Sequence, residues 1–158
     1  MGNQKAFPKR PPRLARYFDQ RPLLFITFNT WKRQPTLATE QVHAAFIEYC
    51  RKGESMGVAT VGRYVVMPDH VHLFVRGGEI FEIGVWVRGL KRAIGRLFPH
   101  LSTGNVLWQD GFFDHVLRSD ESYAEQQEYV WKNPVRRGLV KLADDWPFQG
   151  VLASLGRA

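Results

Sequence analysis

The stretch "VATVGRYVVMPDHVHLFVRGG", residues 58–78, constrains the fold more than any other part of the chain. Two runs rich in Val, Tyr and Phe are separated only by the turn Met67-Pro68-Asp69-His70. A connection that short makes its flanking strands pair antiparallel. An isolated pair of strands is marginal in water, so further elements must cover its apolar side chains. The flanking sequence supplies them. "PLLFITFNT", 22–30, reads as a preceding strand, closed by a polar turn in which Pro35 breaks any regular element. A helix is predicted from Thr39, with Val42, Ala45, Phe46 and Tyr49 on one face and Gly53 near its stop. His43 falls beside that face and is expected to meet solvent.

Downstream, "EIFEIGVWVRGLKRAIGRLFPH" predicts a second amphipathic helix ended by Pro99. "NVLWQDGFFDHVLRS" predicts one more strand with an irregular entry. "SDESYAEQQEYVWKNP" predicts a third helix, capped by Ser119 or Asp120 and closed by Pro134. The order strand, helix, strand, strand, helix, strand, helix is an α+β pattern. Its first six elements make the split βαβ, or ferredoxin-like, arrangement, an antiparallel sheet with helices on one face. At 158 residues the chain is expected to form one such domain. It is read as a basic N-terminal arm at 1–20, a domain at 21–150 and a C-terminal tail at 151–158. Trp146 and Phe148 are expected to fasten the C-terminal segment to the body.

The charge of +7 and a pI near 9.9 favour a polyanionic partner. No apolar run approaches the roughly 18 residues of a membrane span, and no apolar segment follows the N-terminal charges, so a cytoplasmic protein with no membrane partner is expected. The single cysteine, Cys50, can form no internal disulfide and reads as a helix-face residue.

Side chains alternate across a strand, so His70 and His72 point to one face while Val71, Leu73 and Val75 point to the other. Two imidazoles on one side suit a divalent metal if a third ligand comes from another element. The last helix offers one: Tyr129 and Asn133 are four residues apart, one turn along the same face. An Asn carbonyl suits a hard ion such as Mg²⁺ or Mn²⁺, and a phosphodiester on that ion would come within reach of the phenol. Each residue also has a purely structural reading. The histidines could pack, Tyr129 could be a core aromatic, and Asn133 could end the helix before Pro134.

Taken together, "YVVMPDHVHLFV", "LWQDGFFDHVLRSDESY" and "YVWKNPVRRGLV" closely resemble the REP-associated tyrosine transposases, a branch of the HUH single-strand transposases. The similarity covers roughly residues 20–148. It implies that His70 and His72 bind a divalent metal (Mg²⁺ or Mn²⁺), that Tyr129 is the nucleophile on a catalytic third helix, and that Asn133 stands where related transposases carry a metal-binding glutamine. It further implies a 5′-phosphotyrosine intermediate in single-stranded DNA, beside a hairpin of a REP-like palindrome. The superfamily acts as dimers, whereas the REP-associated branch is expected to be monomeric. His115 is placed outside the catalytic set, and Asp69 is read as the turn former of Pro-Asp.

For DNA contacts, Arg88, Lys91, Arg92 and Arg96 fall at i, i+3, i+4 and i+8 of the second helix, one basic stripe beside Val87, Leu90, Ile94 and Leu97. Lys9, Arg10, Arg13 and Arg16 of the arm could lie along a hairpin, and Trp31 could stack on an unpaired base. Two other functions use the same features: a ferredoxin-like nucleic-acid-binding module without catalysis, and a metal-dependent phosphodiesterase that uses water.

Overall fold

The computed structural model describes residues 21–101 and 106–155. The arm at 1–20, with Lys9, Arg10, Arg13 and Arg16, lies outside the described residues. Five strands form one antiparallel sheet: β1 (Leu23–Asn29), β2 (Ala59–Val66), β3 (His70–Gly77), β4 (Phe113–Leu117) and β5 (Gln149–Val151), in the order β4-β1-β3-β2-β5. The first four carry the expected ferredoxin-like order. β3 is central, with Asn29 opposite His70 on one edge and Val66 opposite Val71 on the other.

The hairpin turn is closed by Met67 N–H donating to His70 O at 2.8 Å. It is also tied to the segment after β1, because Thr30 N–H donates to Asp69 O and Leu37 N–H to Pro68 O, each at 2.9 Å. Two helices cover one face. Helix α1 (Glu40–Ser55) starts where the Thr39 hydroxyl accepts from Val42 N–H, and it buries Val42, Phe46 and Cys50. Helix α2 (Ile83–Gly95) is shorter than the periodicity predicts, because the Glu82 carboxylate caps it by accepting from Gly84 and Val85 N–H. Its buried residues Trp86, Val87, Leu90 and Ile94 pack with Ile26, Phe28, Val71, Leu73 and Val75. Leu97 lies beyond the helix end and is exposed rather than packed on the sheet.

The opposite face has its own apolar cluster of Leu23, Val65, Met67, Phe74, Leu117, Tyr123, Val130, Trp146 and Leu155. Helix α3 (Asp120–Trp131) contributes Tyr123 and Val130, with Ser119 as its N-cap. Helices therefore occupy both faces: α1 and α2 on the ferredoxin-like side, α3 on the other. A four-residue helix, α4 (Asn133–Arg136), continues after Lys132. Trp146 Nε1–H donates to Val66 O at 3.1 Å and Val66 N–H to Phe148 O at 2.8 Å, which fastens the C-terminal segment as expected.

Lys91 and His43 also depart from expectation. Lys91 does not belong to an open basic stripe. Its Nζ donates to the carbonyls of Gln109 at 3.0 Å and Gly111 at 2.6 Å, and burial pushes its pKa down to about 8. It anchors the segment leading into β4, so of the four basic residues only Arg88, Arg92 and Arg96 are exposed. His43 is half-buried rather than solvated, with Nε2 2.7 Å from Tyr64 Oη and its ring against Phe148.

The boundary at residue 150 is not a boundary of packing. Val151 ends β5, Leu152 N–H donates to Gly62 O at 3.1 Å, and Leu155 is buried against Gly62. A Cβ at Gly62 would meet Leu155 Cδ1 at 2.8 Å, so any larger residue there would have to displace the Leu155 side chain. Leu155→Ala is expected to lower stability in urea by about 2–4 kcal/mol, the usual cost of emptying a buried leucine site. A tail independent of the core would give no change.

Candidate active site

On β3 the side chains split as the period of two requires. Val71, Leu73 and Val75 enter the core under α1 and α2, leaving His70 and His72 on the face crossed by α3. There the two rings stand 4.6 Å apart, centroid to centroid, nearly perpendicular. With Tyr129 and Asn133 they line a cleft of about 390 Å³, whose other walls include Phe25, Thr27, Arg33, Phe113 and Arg137. Four residues separated by up to 63 positions thus share one cavity, as their spacing on strand and helix predicts.

Each imidazole is held at Nδ1. His70 Nδ1 lies 2.7 Å from Asp69 Oδ1, a distance at which the ring donates to the carboxylate. His72 Nδ1 lies 2.7 Å from Thr27 Oγ1 on the neighbouring strand, and its ring stacks on Phe25. Protons on both Nδ1 atoms would leave both Nε2 lone pairs for a ligand. Burial pushes the pKa of His70 down, against the opposing pull of Asp69. For His72 burial, helped by His70 and nearby arginines, pushes it to about 3. Both rings are therefore neutral near pH 7, the form that binds a metal.

Asn133 is buried, and its Nδ2 lies 3.2 Å from His70 Nε2. The amide thus already addresses the lone pair that a cation would take. Turning the amide about its last bond presents the carbonyl oxygen to the same place. Two neutral imidazoles and one amide oxygen make a donor set that fits a divalent ion. Among the described residues no group of three or more His, Cys, Asp or Glu is placed to hold a metal ion.

The sequence reading missed what surrounds this set. Asp69 forms the turn and also fixes His70, and its other oxygen accepts from Arg33 Nε at 2.8 Å, with Arg137 Nη2 at 3.4 Å. Burial alone would raise its pKa, yet the hydrogen bonds from Arg33 and His70 outweigh that and hold the carboxyl below the usual carboxylate range. Arg33 reaches Asp69 from a backbone in which Lys32 and Arg33 both adopt left-handed conformations, φ 52° and 56°. Consecutive non-glycine residues there are strained. The Thr30 hydroxyl, placed to donate to Gln34 O at 2.8 Å and lying 3.1 Å from Asp69 O, holds the turn in that shape. The one sequence signal for this network was an aspartate directly before the first histidine.

Tyr129 is 56% exposed and open to the cleft, so it is not the core aromatic of the structural reading. The Arg136 guanidinium lies over its ring, 3.7 Å from the centroid, and also donates to the Tyr129 carbonyl. Asn133 does not continue α3 but opens α4 after Lys132, where Pro134 has no N–H to extend the ladder. Trp31 is half-buried, with Lys32 Nζ 5.9 Å from its ring centroid. His115 lies exposed on β4, opposite Phe25. Arg88, Arg92 and Arg96 belong to the far side of the sheet, so they do not share the cleft's surface.

Comparison with known proteins identifies the family. The family described as Transposase IS200 like matches residues 24–133. The REP-associated tyrosine transposase of Escherichia coli (strain K12) is 30% identical over 139 residues, 84% of this chain and 78% of that protein. A putative REP-associated tyrosine transposase of Haemophilus influenzae is 26% identical over 146 residues, 84% of this chain and 81% of that protein. Among solved structures, a REP-associated tyrosine transposase bound to a REP hairpin superposes with a TM-score of 0.70 at 26% identity, covering 85% of this chain and 79% of that one.

The Asp69 network predicts that Asp69→Ala weakens Mn²⁺ binding, read by calorimetry, by about 10–100-fold, the usual effect of removing a group that orients a ligand histidine. An unchanged affinity would mean that Asp69 serves the turn alone.

Proposed function

This chain belongs to the family of IS200-like transposases, and we propose that it cleaves and rejoins single-stranded DNA beside a REP-like hairpin through a covalent bond to Tyr129. The observation that carries this reading is the convergence of an exposed phenol, two neutral imidazoles and a buried amide on one cleft. The relatives named for REP-associated transposition, and the solved relative bound to a REP hairpin, support the choice of DNA.

In this reading a divalent ion, Mg²⁺ or Mn²⁺, held by His70, His72 and Asn133 would polarise the scissile phosphate and orient it in line. The Tyr129 oxygen attacks phosphorus as its phenolic proton passes to solvent, which returns a proton to the leaving oxygen. The Tyr–O–P bond forms as the bond from phosphorus to the 3′ oxygen breaks, leaving a 5′-phosphotyrosine and, once the 3′ oxygen takes a proton, a 3′-hydroxyl. One phosphodiester replaces another, so the step is reversible without ATP. Attack by a different 3′-hydroxyl on the phosphotyrosine completes strand transfer. Arg136 keeps the phenol ring oriented, while Arg33 and Arg137 at the cleft add positive charge beside the phosphate path.

Arg88, Arg92 and Arg96 on the far side of the sheet, together with Lys9, Arg10, Arg13 and Arg16 of the arm, are assigned to duplex phosphates of the hairpin rather than to the strand in the cleft. No helix among the described residues is long and apolar enough to cross a membrane, which is compatible with action on cytoplasmic DNA.

Incubation with Mn²⁺ and a single-stranded oligonucleotide carrying a palindrome and its flank is expected to give an SDS-resistant adduct. EDTA and Tyr129→Phe should each abolish it. Binding with neither adduct nor cleavage would favour a non-catalytic module, and cleavage without adduct a phosphodiesterase that uses water.

A further inference from the structure

Asparagine is depleted in strands, yet Asn29 ends β1 inside the sheet. Alternation along β1 sends Ile26 and Phe28 into the core and turns Phe25, Thr27 and Asn29 toward the cleft. The ladder then sets a polar residue directly across from each histidine of β3: Thr27 opposite His72, and Asn29 opposite His70. Side chains so paired have Cβ atoms about 5 Å apart, which puts the Asn29 amide beside the His70 imidazole. Thr27 uses its hydroxyl to hold His72 at Nδ1. Asn29 has no such task, because Nδ1 of His70 is taken by Asp69. Its carbonyl oxygen Oδ1 is buried and has no hydrogen-bond partner. The donors that share the cleft are directed elsewhere, Arg33 and Arg137 at Asp69 and Asn133 Nδ2 at His70 Nε2. The backbone also holds the residue in place, since Gln109 N–H donates to Asn29 O at 3.0 Å on the side away from His70. A buried acceptor left unpaired is costly, and a lone oxygen beside two metal-binding imidazoles is placed to have that cost relieved by a cation.

We propose that Asn29 is a further oxygen ligand of the divalent ion, its Oδ1 joining the donors of His70, His72 and Asn133. The assignment rests on the reading of the cleft as a metal site. Two imidazoles alone suit Zn²⁺, Cu²⁺ or Ni²⁺ as well as Mn²⁺. A second amide oxygen hardens the donor set and moves its preference toward Mg²⁺ and Mn²⁺. Asn29 also ties the ion to β1, so the sheet supplies three of the four donors and only Asn133 arrives from a helix.

The test uses the full chain without DNA, so that it reads metal binding and not activity. Mn²⁺ is titrated calorimetrically into the wild type, Asn29→Ala and Asn29→Asp, and the melting temperature of each is measured in EDTA. Asn29→Ala should bind Mn²⁺ about tenfold more weakly, the lower end of the loss expected when a group supporting a metal site is removed. Asn29→Asp keeps an oxygen at the position and adds a charge, so it should bind at least as tightly as the wild type. In EDTA, Asn29→Ala should melt no lower than the wild type, because an unpaired acceptor has been taken out of the protein. An unchanged Mn²⁺ affinity in Asn29→Ala overturns the assignment. So does a loss of affinity that comes with a lower melting temperature in EDTA and is not restored by Asn29→Asp, the pattern of a residue that only shapes the sheet. A wild-type chain that binds no Mn²⁺ sinks the metal reading together with this ligand. Wild-type binding that is lost in His70→Ala but kept in Asn29→Ala sinks the role of Asn29 alone.

Discussion

β3 is hydrogen-bonded on both edges, and both of its faces are occupied, one by the α1 and α2 core and the other by the cleft. A slip of one residue would drive His70 and His72 into the apolar core and carry Val71 and Leu73 to the cleft. The apolar side of the strand, with Val71, Leu73 and Val75 at 0% exposure, therefore fixes where the histidines stand. Burial energy on one face of the sheet sets the geometry of the polar site on the other. The same ladders carry Thr27 to His72 and Phe113 to Thr27, so the supports of the site inherit their precision from the sheet.

The second constraint is electrostatic. A carboxylate buried beside a histidine is costly unless it is paired and hydrogen-bonded. Asp69 meets that demand with His70 on one oxygen and Arg33 and Arg137 on the other. Arg33 reaches it through a strained turn, and the strain is held in place by hydrogen bonds from Thr30. The charge of Asp69 is thereby spread over two arginines that remain partly exposed at the cleft. The arrangement fixes the His70 ring while leaving the site positive overall, which suits a phosphate-bearing substrate.

Much of this was legible in the sequence wherever the information is local. Periods of 2 and 3.6 placed the strands and helices, and the same alternation placed both histidines on one face. The spacing of Tyr129 and Asn133 brought both residues to the cleft, even though α3 ends at Trp131 and Asn133 opens a new helix. What escaped depends on partners distant in sequence. Arg33 is 36 residues from Asp69, and Lys91 looks like part of a basic stripe until the carbonyls of Gln109 and Gly111 fold over it. β5 has three residues and no pattern of its own; it exists because β2 offers an edge and Trp146 anchors the chain beside it. His43 meets Tyr64 only once α1 has packed on β2.

The proposed chemistry requires one divalent ion held by His70, His72 and Asn133 beside Tyr129. Anomalous diffraction from crystals soaked in Mn²⁺ measures this directly. A single strong peak is expected, bonded to Nε2 of both histidines and to Oδ1 of Asn133. A peak elsewhere, or none at the histidines while both Nε2 atoms remain hydrogen-bonded to protein, would contradict it.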